Sequence, residues 1–139
     1  MVFNSRQEGG SVISLNYTYQ NAMNELTDTR ASDVPRHKLN ASFNYRPSRY
    51  INAYAGLNHR GELKRADGDG RPTIGGHTTL DLALNIKGVS DSWNVTASMY
   101  NVLDKTYYDS SSENTMRSDY TKAGRSFFLE VCLYCLLFQ

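Results

Sequence analysis

Six stretches of this chain alternate between apolar and polar residues, and the segments joining them run long, short, long, short, long. A period of two sends successive side chains to opposite faces of an extended strand, so each stretch reads as a strand with one apolar face. The long connections cover residues 24–34, 61–76 and 109–123 and are polar. The short ones lie at Pro47 to Arg49 and at Gly88 to Ser92. Such strict asymmetry is the connectivity of a β-barrel that crosses a membrane, with long loops on one side and tight turns on the other. Soluble sandwiches rarely keep it.

The strands follow from the alternation. Residues 12–22 set Ile13, Leu15, Tyr17 and Tyr19 against Ser14, Asn16, Thr18 and Gln20. Residues 36–45 set Leu39, Ala41, Phe43 and Tyr45 against Lys38, Asn40, Ser42 and Asn44, and Pro47 then closes a turn. Residues 50–60 place Ile51, Ala53, Ala55 and Leu57 opposite Asn52, Tyr54, Gly56 and Asn58. Residues 77–87 carry Leu80, Leu82, Leu84 and Ile86 on one face. The fifth strand begins at Trp93 and puts Val95, Ala97 and Met99 on one face; the sixth begins at Gly124 or Arg125. The polar face is mostly Asn, Ser and Thr with few charges. That suits a crowded, hydrated barrel interior better than a surface open to bulk water. With the short turns taken as periplasmic, Phe43, Tyr45 and Trp93 fall at one membrane boundary and Tyr17 and Tyr19 toward the other.

The fold class is therefore all-β: an antiparallel up-and-down meander of about six strands, part of a transmembrane β-barrel. Fifteen Lys and Arg against fourteen Asp and Glu leave a formal charge of +1 and no basic stripe, so no nucleic-acid partner is expected. No apolar run approaches the ~20 residues of a spanning helix. Residues 1–10 show no basic segment followed by an apolar one. Since the smallest membrane barrels have about eight strands, the expectation is a piece of a longer barrel. Cys132 and Cys135 stand three apart, on opposite faces of a strand, which argues against a bridge or a C-x-x-C redox pair.

Asn101-Val102-Leu103-Asp104-Lys105-Thr106-Tyr107 resembles the N-[LV]-[LF]-D-K-x-Y signature of TonB-dependent outer-membrane receptors. Three other stretches resemble the same family in the same order: Val34 to Asn40 (VPRHKLN), Gly75 to Leu82 (GGHTTLDL) and Gly124 to Glu130 (GRSFFLE). The resemblance covers residues 10–131. It implies a barrel of about 22 strands with a plug in the lumen. Residues 1–139 would be the C-terminal part of that barrel, without the plug and the earlier strands. Function by resemblance is binding and import of ferric siderophores, with energy from the TonB complex through the missing plug. Asp119 to Ser126 (DYTKAGRS) is similar to the catecholate siderophore and colicin I receptor branch. Implied partners are a ferric siderophore or similar small ligand, outer-membrane lipid, and colicins or phages at the loops. The implied location is the outer membrane of a Gram-negative bacterium. Haem or cobalamin as ligand, a passive porin and a soluble β-domain binding module remain open as alternatives. The family ends on an aromatic residue after an alternating strand, whereas residues 131–138 are apolar on both faces and Gln139 follows.

Arg36, Lys38 and Arg60 share the polar phase near the long-loop ends of neighbouring strands, and an anionic ferric chelate would be drawn to them. His37 and His59 take the apolar phase and His77 the polar one, so the three cannot converge on one ion, and no metal site is expected. Asp67-Gly68-Asp69-Gly70 lacks the spacing and terminal Glu of a calcium loop and reads as a turn. No nucleophile elbow, phosphate loop or paired acids support catalysis, and no cofactor is expected.

Overall fold

The computed structural model describes residues 10–25, 28–90, 92–111 and 118–134, and residues 2–6 by their backbone. Its strands are β1 (Val2–Arg6), β2 (Val12–Tyr19), β3 (Met23–Asn24), β4 (Thr29–Arg30), β5 (His37–Ser48), β6 (Ile51–Arg60), β7 (His77–Lys87), β8 (Trp93–Tyr100), β9 (Tyr108–Asp109), β10 (Tyr120–Thr121) and β11 (Ser126–Leu133). Seven of them form one sheet in the order β1-β2-β5-β6-β7-β8-β11, each antiparallel to its neighbour. Strand neighbours in space are thus sheet neighbours in sequence, which is a meander. β1 is an additional strand beyond the six that the alternation marks.

Register keeps the two faces separate across the whole sheet. Ile13 pairs with Phe43, Phe43 with Ala55, Ala55 with Leu82, and Leu82 with Met99, which pairs with Phe127. One face is therefore a continuous apolar row. Its members stand exposed, Leu84 at 41% and Leu129 at 72%, so water exclusion must come from the surroundings. The other face is joined by amides and hydroxyls. Asn85 Nδ2 donates to Asn94 Oδ1 and to Thr96 Oγ1, each at 2.7 Å, and Asn58 Nδ2 donates to Asp81 Oδ2 at 3.4 Å. β6 has 10 residues and β7 has 11, the length of a tilted strand crossing a bilayer.

Local chemistry sets the ends and irregularities. β5 continues through Pro47 to Ser48, past the boundary at Tyr45, because the register shifts between Tyr45 and Ser48. A bulge takes a proline without losing a ladder bond, so the turn itself is Arg49 and Tyr50. Phe43 and Tyr45 stack at 6.1 Å beside that turn. The Trp93 ring covers Gly88 at the other short turn, where a Cβ would collide with it. At the opposite end Tyr17 and Tyr19 flank His37, and Tyr17 Oη lies 2.8 Å from His37 Nδ1. In mid-sheet the Tyr54 ring lies over Gly56, whose missing Cβ leaves room for it.

Among the described residues the buried hydrophobic side chains are Leu63 (4% exposed) and Ile74 (5%), and both belong to a long loop. The dry core thus sits at the loop end and not on the sheet. Cys132 lies on the polar face, its thiol 3.2 Å from Glu130 Oε1. Cys135 and residues 136–139 fall outside the described residues.

Candidate functional site

The three long loops form one polar body. Leu63 and Ile74 exchange backbone hydrogen bonds at 2.9 and 3.1 Å and close the second loop on itself. Just past Leu63, Arg65 is 7% exposed and grips the third loop, with Nη1 2.9 Å from Asp119 Oδ1 and Nη2 2.5 Å from Oδ2. Its Nε donates to the Pro72 carbonyl at 2.6 Å. Arg71 holds Asp69 through Nη2 at 2.6 Å and donates from the same nitrogen to the Ser111 carbonyl at 2.9 Å. The fork of a guanidinium matches a carboxylate, and both acids are lowered as a result. Hydrogen bonding by Arg71 brings Asp69 to about 2, and hydrogen bonding by Arg65 holds Asp119 below the ordinary carboxylate range. The first loop joins through Arg30 and Glu62 at 3.4 Å, Thr29 and Asp67 at 2.7 Å, and the Asp33 amide on the Lys64 carbonyl at 2.9 Å. Asp67-Gly68-Asp69-Gly70 is accordingly a turn with Gly68 at φ +93°, and both of its carboxylates are committed to cations.

The Asn101 to Tyr107 motif ends β8 and pins the third loop to the sheet. Asn101 is buried at φ +49°, a left-handed conformation that asparagine tolerates. Its amide N–H donates to Asp81 Oδ1, and its side chain both donates to the Lys105 carbonyl and accepts from the Lys105 N–H, all near 3 Å. Asp104, also left-handed at φ +51°, accepts from the Arg125 N–H at the start of β11 at 2.9 Å. Tyr107 stacks on His77 at 4.1 Å. A polar cleft of about 380 Å³ opens on this side of the sheet between Asn58, His77, Asp81, Tyr100 and Tyr107.

Lys38 and Arg60 are directly opposed in register, and Arg60 in turn is opposed to His77. Their shared face is the polar one, as the alternation requires. Arg36 precedes β5 and its carbonyl accepts from the Gln20 N–H at 3.0 Å. Like charges directly across a ladder repel. Arg60 turns to the third loop instead, with Nη1 2.8 Å from Asp109 Oδ1, whereas Arg36 and Lys38 are exposed and form no ion pair among the described residues. His37 and His59 occupy the apolar face, the second 2.9 Å from Thr78 Oγ1. Sequence reasoning missed the pairing of Asp109 with Lys122, 2.6 Å apart, and the ion-pair set of Arg65, Asp69, Arg71 and Asp119 around the buried Arg65. The one available signal was the dense run of mixed charge from Lys64 to Arg71.

The family described as TonB dependent receptor-like, beta-barrel matches residues 9–102. The chain belongs to this family. Solved structures of siderophore receptors share its fold. A variant of the ferric enterobactin receptor PfeA of Pseudomonas aeruginosa aligns with a TM-score of 0.73 at 18% identity, over 94% of this chain and 21% of its own. Another PfeA variant, in complex with enterobactin, gives 0.72 at 17% identity over the same shares. The siderophore receptor PirA of Acinetobacter baumannii gives 0.73 at 18% identity, covering 94% of this chain and 20% of that one. This chain therefore spans about a fifth of the length of these receptors. No curated protein matches it.

Proposed function

We propose that these strands are part of the wall of a TonB-dependent receptor in the outer membrane of a Gram-negative bacterium, which binds and imports a ferric siderophore. In this reading the apolar face meets lipid, the polar face lines the lumen against a plug, and the plug connects to the TonB complex. The long loops stand outside the cell, where colicins or phages would also touch them. The observation that carries the reading is a cationic pair, Lys38 and Arg60, on the polar face at the loop end of a sheet of this family. With Arg36 beside them, these groups attract an anionic chelate into a confined, low-dielectric mouth. An anionic ligand of the catecholate kind fits that charge, and the likeness of Asp119 to Ser126 to the catecholate branch points the same way.

The reading is tested by replacing Arg36, Lys38 and Arg60 with Gln together in the full-length protein in outer-membrane vesicles. Affinity for a trianionic ferric catecholate should fall by about tenfold or more, while that for a neutral ferric hydroxamate stays constant. Equal affinity of wild type and variant for the anionic chelate overturns it.

A further inference from the structure

Two of the ion-pair clamps on the third loop differ in kind. The clamp between Arg65 and Asp119 is shielded, with side chains 7% and 18% exposed. The second is more open, with the Arg60, Asp109 and Lys122 side chains 23%, 36% and 44% exposed. Asp109 bridges two cations there, with Oδ1 2.8 Å from Arg60 Nη1 and Oδ2 2.6 Å from Lys122 Nζ. Arg60 Nη2 also donates to the Tyr108 carbonyl at 2.8 Å, so it holds the β9–β10 pair by two contacts. Lys38 stands directly across from Arg60. Two cations, Arg60 and Lys122, thus hold one carboxylate, an excess of one positive charge.

The site also keeps unused hydrogen-bonding capacity. Arg60 Nε and His77 Nδ1 are buried with no hydrogen-bond partner among the described residues, and the two residues face each other in register. A buried donor such as the Arg60 Nε–H is costly to leave unpaired. A solvated ion pair is worth little and exchanges readily, unlike a shielded one.

We propose that the Asp109 carboxylate is an internal stand-in for the ligand's anionic group, and that a ligand presenting two adjacent anionic oxygens displaces it from Arg60 and Lys122. Rested on the proposed function, this makes Asp109 the residue that sets selectivity among anionic ligands. A carboxylate bridges the two cations through neighbouring oxygens, and a catecholate presents the same arrangement. On exchange the β9–β10 pair leaves the wall, while Arg65 still tethers the loop through Asp119. No bond is made or broken, and only the ion-pair partners change.

The test uses the full-length protein in outer-membrane vesicles, with a trianionic ferric catecholate and a neutral ferric hydroxamate as probes. Asp109→Asn removes the competing charge and should tighten the anionic probe by about fivefold, with no change for the neutral one. Arg60→Gln should weaken the anionic probe, and in that background Asp109→Asn should add nothing. Asp109→Ser serves as a second variant if the first does not assemble. Loss of affinity in Arg60→Gln without a gain in either Asp109 variant overturns the exchange and leaves the ligand path intact. No effect of Arg60→Gln overturns both.

Discussion

Arg65→Met keeps the aliphatic stem and removes the charge that joins two loops 54 residues apart. Asp119 loses two hydrogen bonds and the Pro72 carbonyl loses its donor. Deleting one partner of a buried pair costs about 3–5 kcal/mol, and the Asp119 carboxylate left behind is part-buried, at 18% exposed. Arg71 remains 3.8 Å from Asp119, which puts the cost at the low end, about 3 kcal/mol. The cost falls on the loop body and not on the strands, so the readout must be local. Hydrogen exchange at the amides of Leu63 and Ile74, each bonded to the other's carbonyl, reports opening of that body. Their exchange should accelerate roughly a hundredfold, with amides of β6 and β7 unchanged. Unchanged exchange at Leu63 and Ile74 would refute the clamp. Equal acceleration along β6 and β7 would refute its independence from the sheet.

The loop body should also open in acid. Asp69 titrates at about 2 when paired and at 3.8 ordinarily, and a depressed carboxyl stabilises fully above its unfolded value and loses that contribution as pH falls through the folded one. Pepsin cleavage within residues 61–76 should therefore rise between about pH 4 and pH 2, and a flat profile across that window would contradict the pairing. Asn101→Ala removes three hydrogen bonds and leaves a β-carbon in a left-handed conformation, at a cost of about 2 kcal/mol seen as a lower temperature of heat-modified gel migration. Gly56→Ala places a methyl group 2.5 Å from Tyr54 Oη and should destabilise by about 1 kcal/mol, a loss that vanishes in a Tyr54→Ala background.

The strands were legible because alternation is local. β7 was bounded at His77 and Lys87 by its leucine period alone, and parity placed Lys38, Arg60 and the three histidines on their faces. Pro47 misled because a proline signals a turn more often than a bulge, and only the partner strand reveals the register shift. β1 was missed because five residues are too few to show a period. The loop body left no periodic trace at all. Arg65 finds Asp119, and Arg60 finds Asp109, 49 residues away, only after the hairpins have brought the loops together. The Asn101 to Tyr107 motif was recognisable as a signature, yet its work as a left-handed clasp between β8 and β11 needed the backbone.

The central claim is a membrane wall with lipid on the apolar face, and single spin labels along β7 test it most directly. In the full-length protein, with Cys132 and Cys135 changed to Ser, labels would be placed one at a time from Leu80 to Ile86 in lipid vesicles. Labels at Leu80, Leu82, Leu84 and Ile86 should collide with dissolved oxygen, and those at Asp81, Ala83 and Asn85 should not. Absence of this two-residue period, or its inverse, would contradict the account.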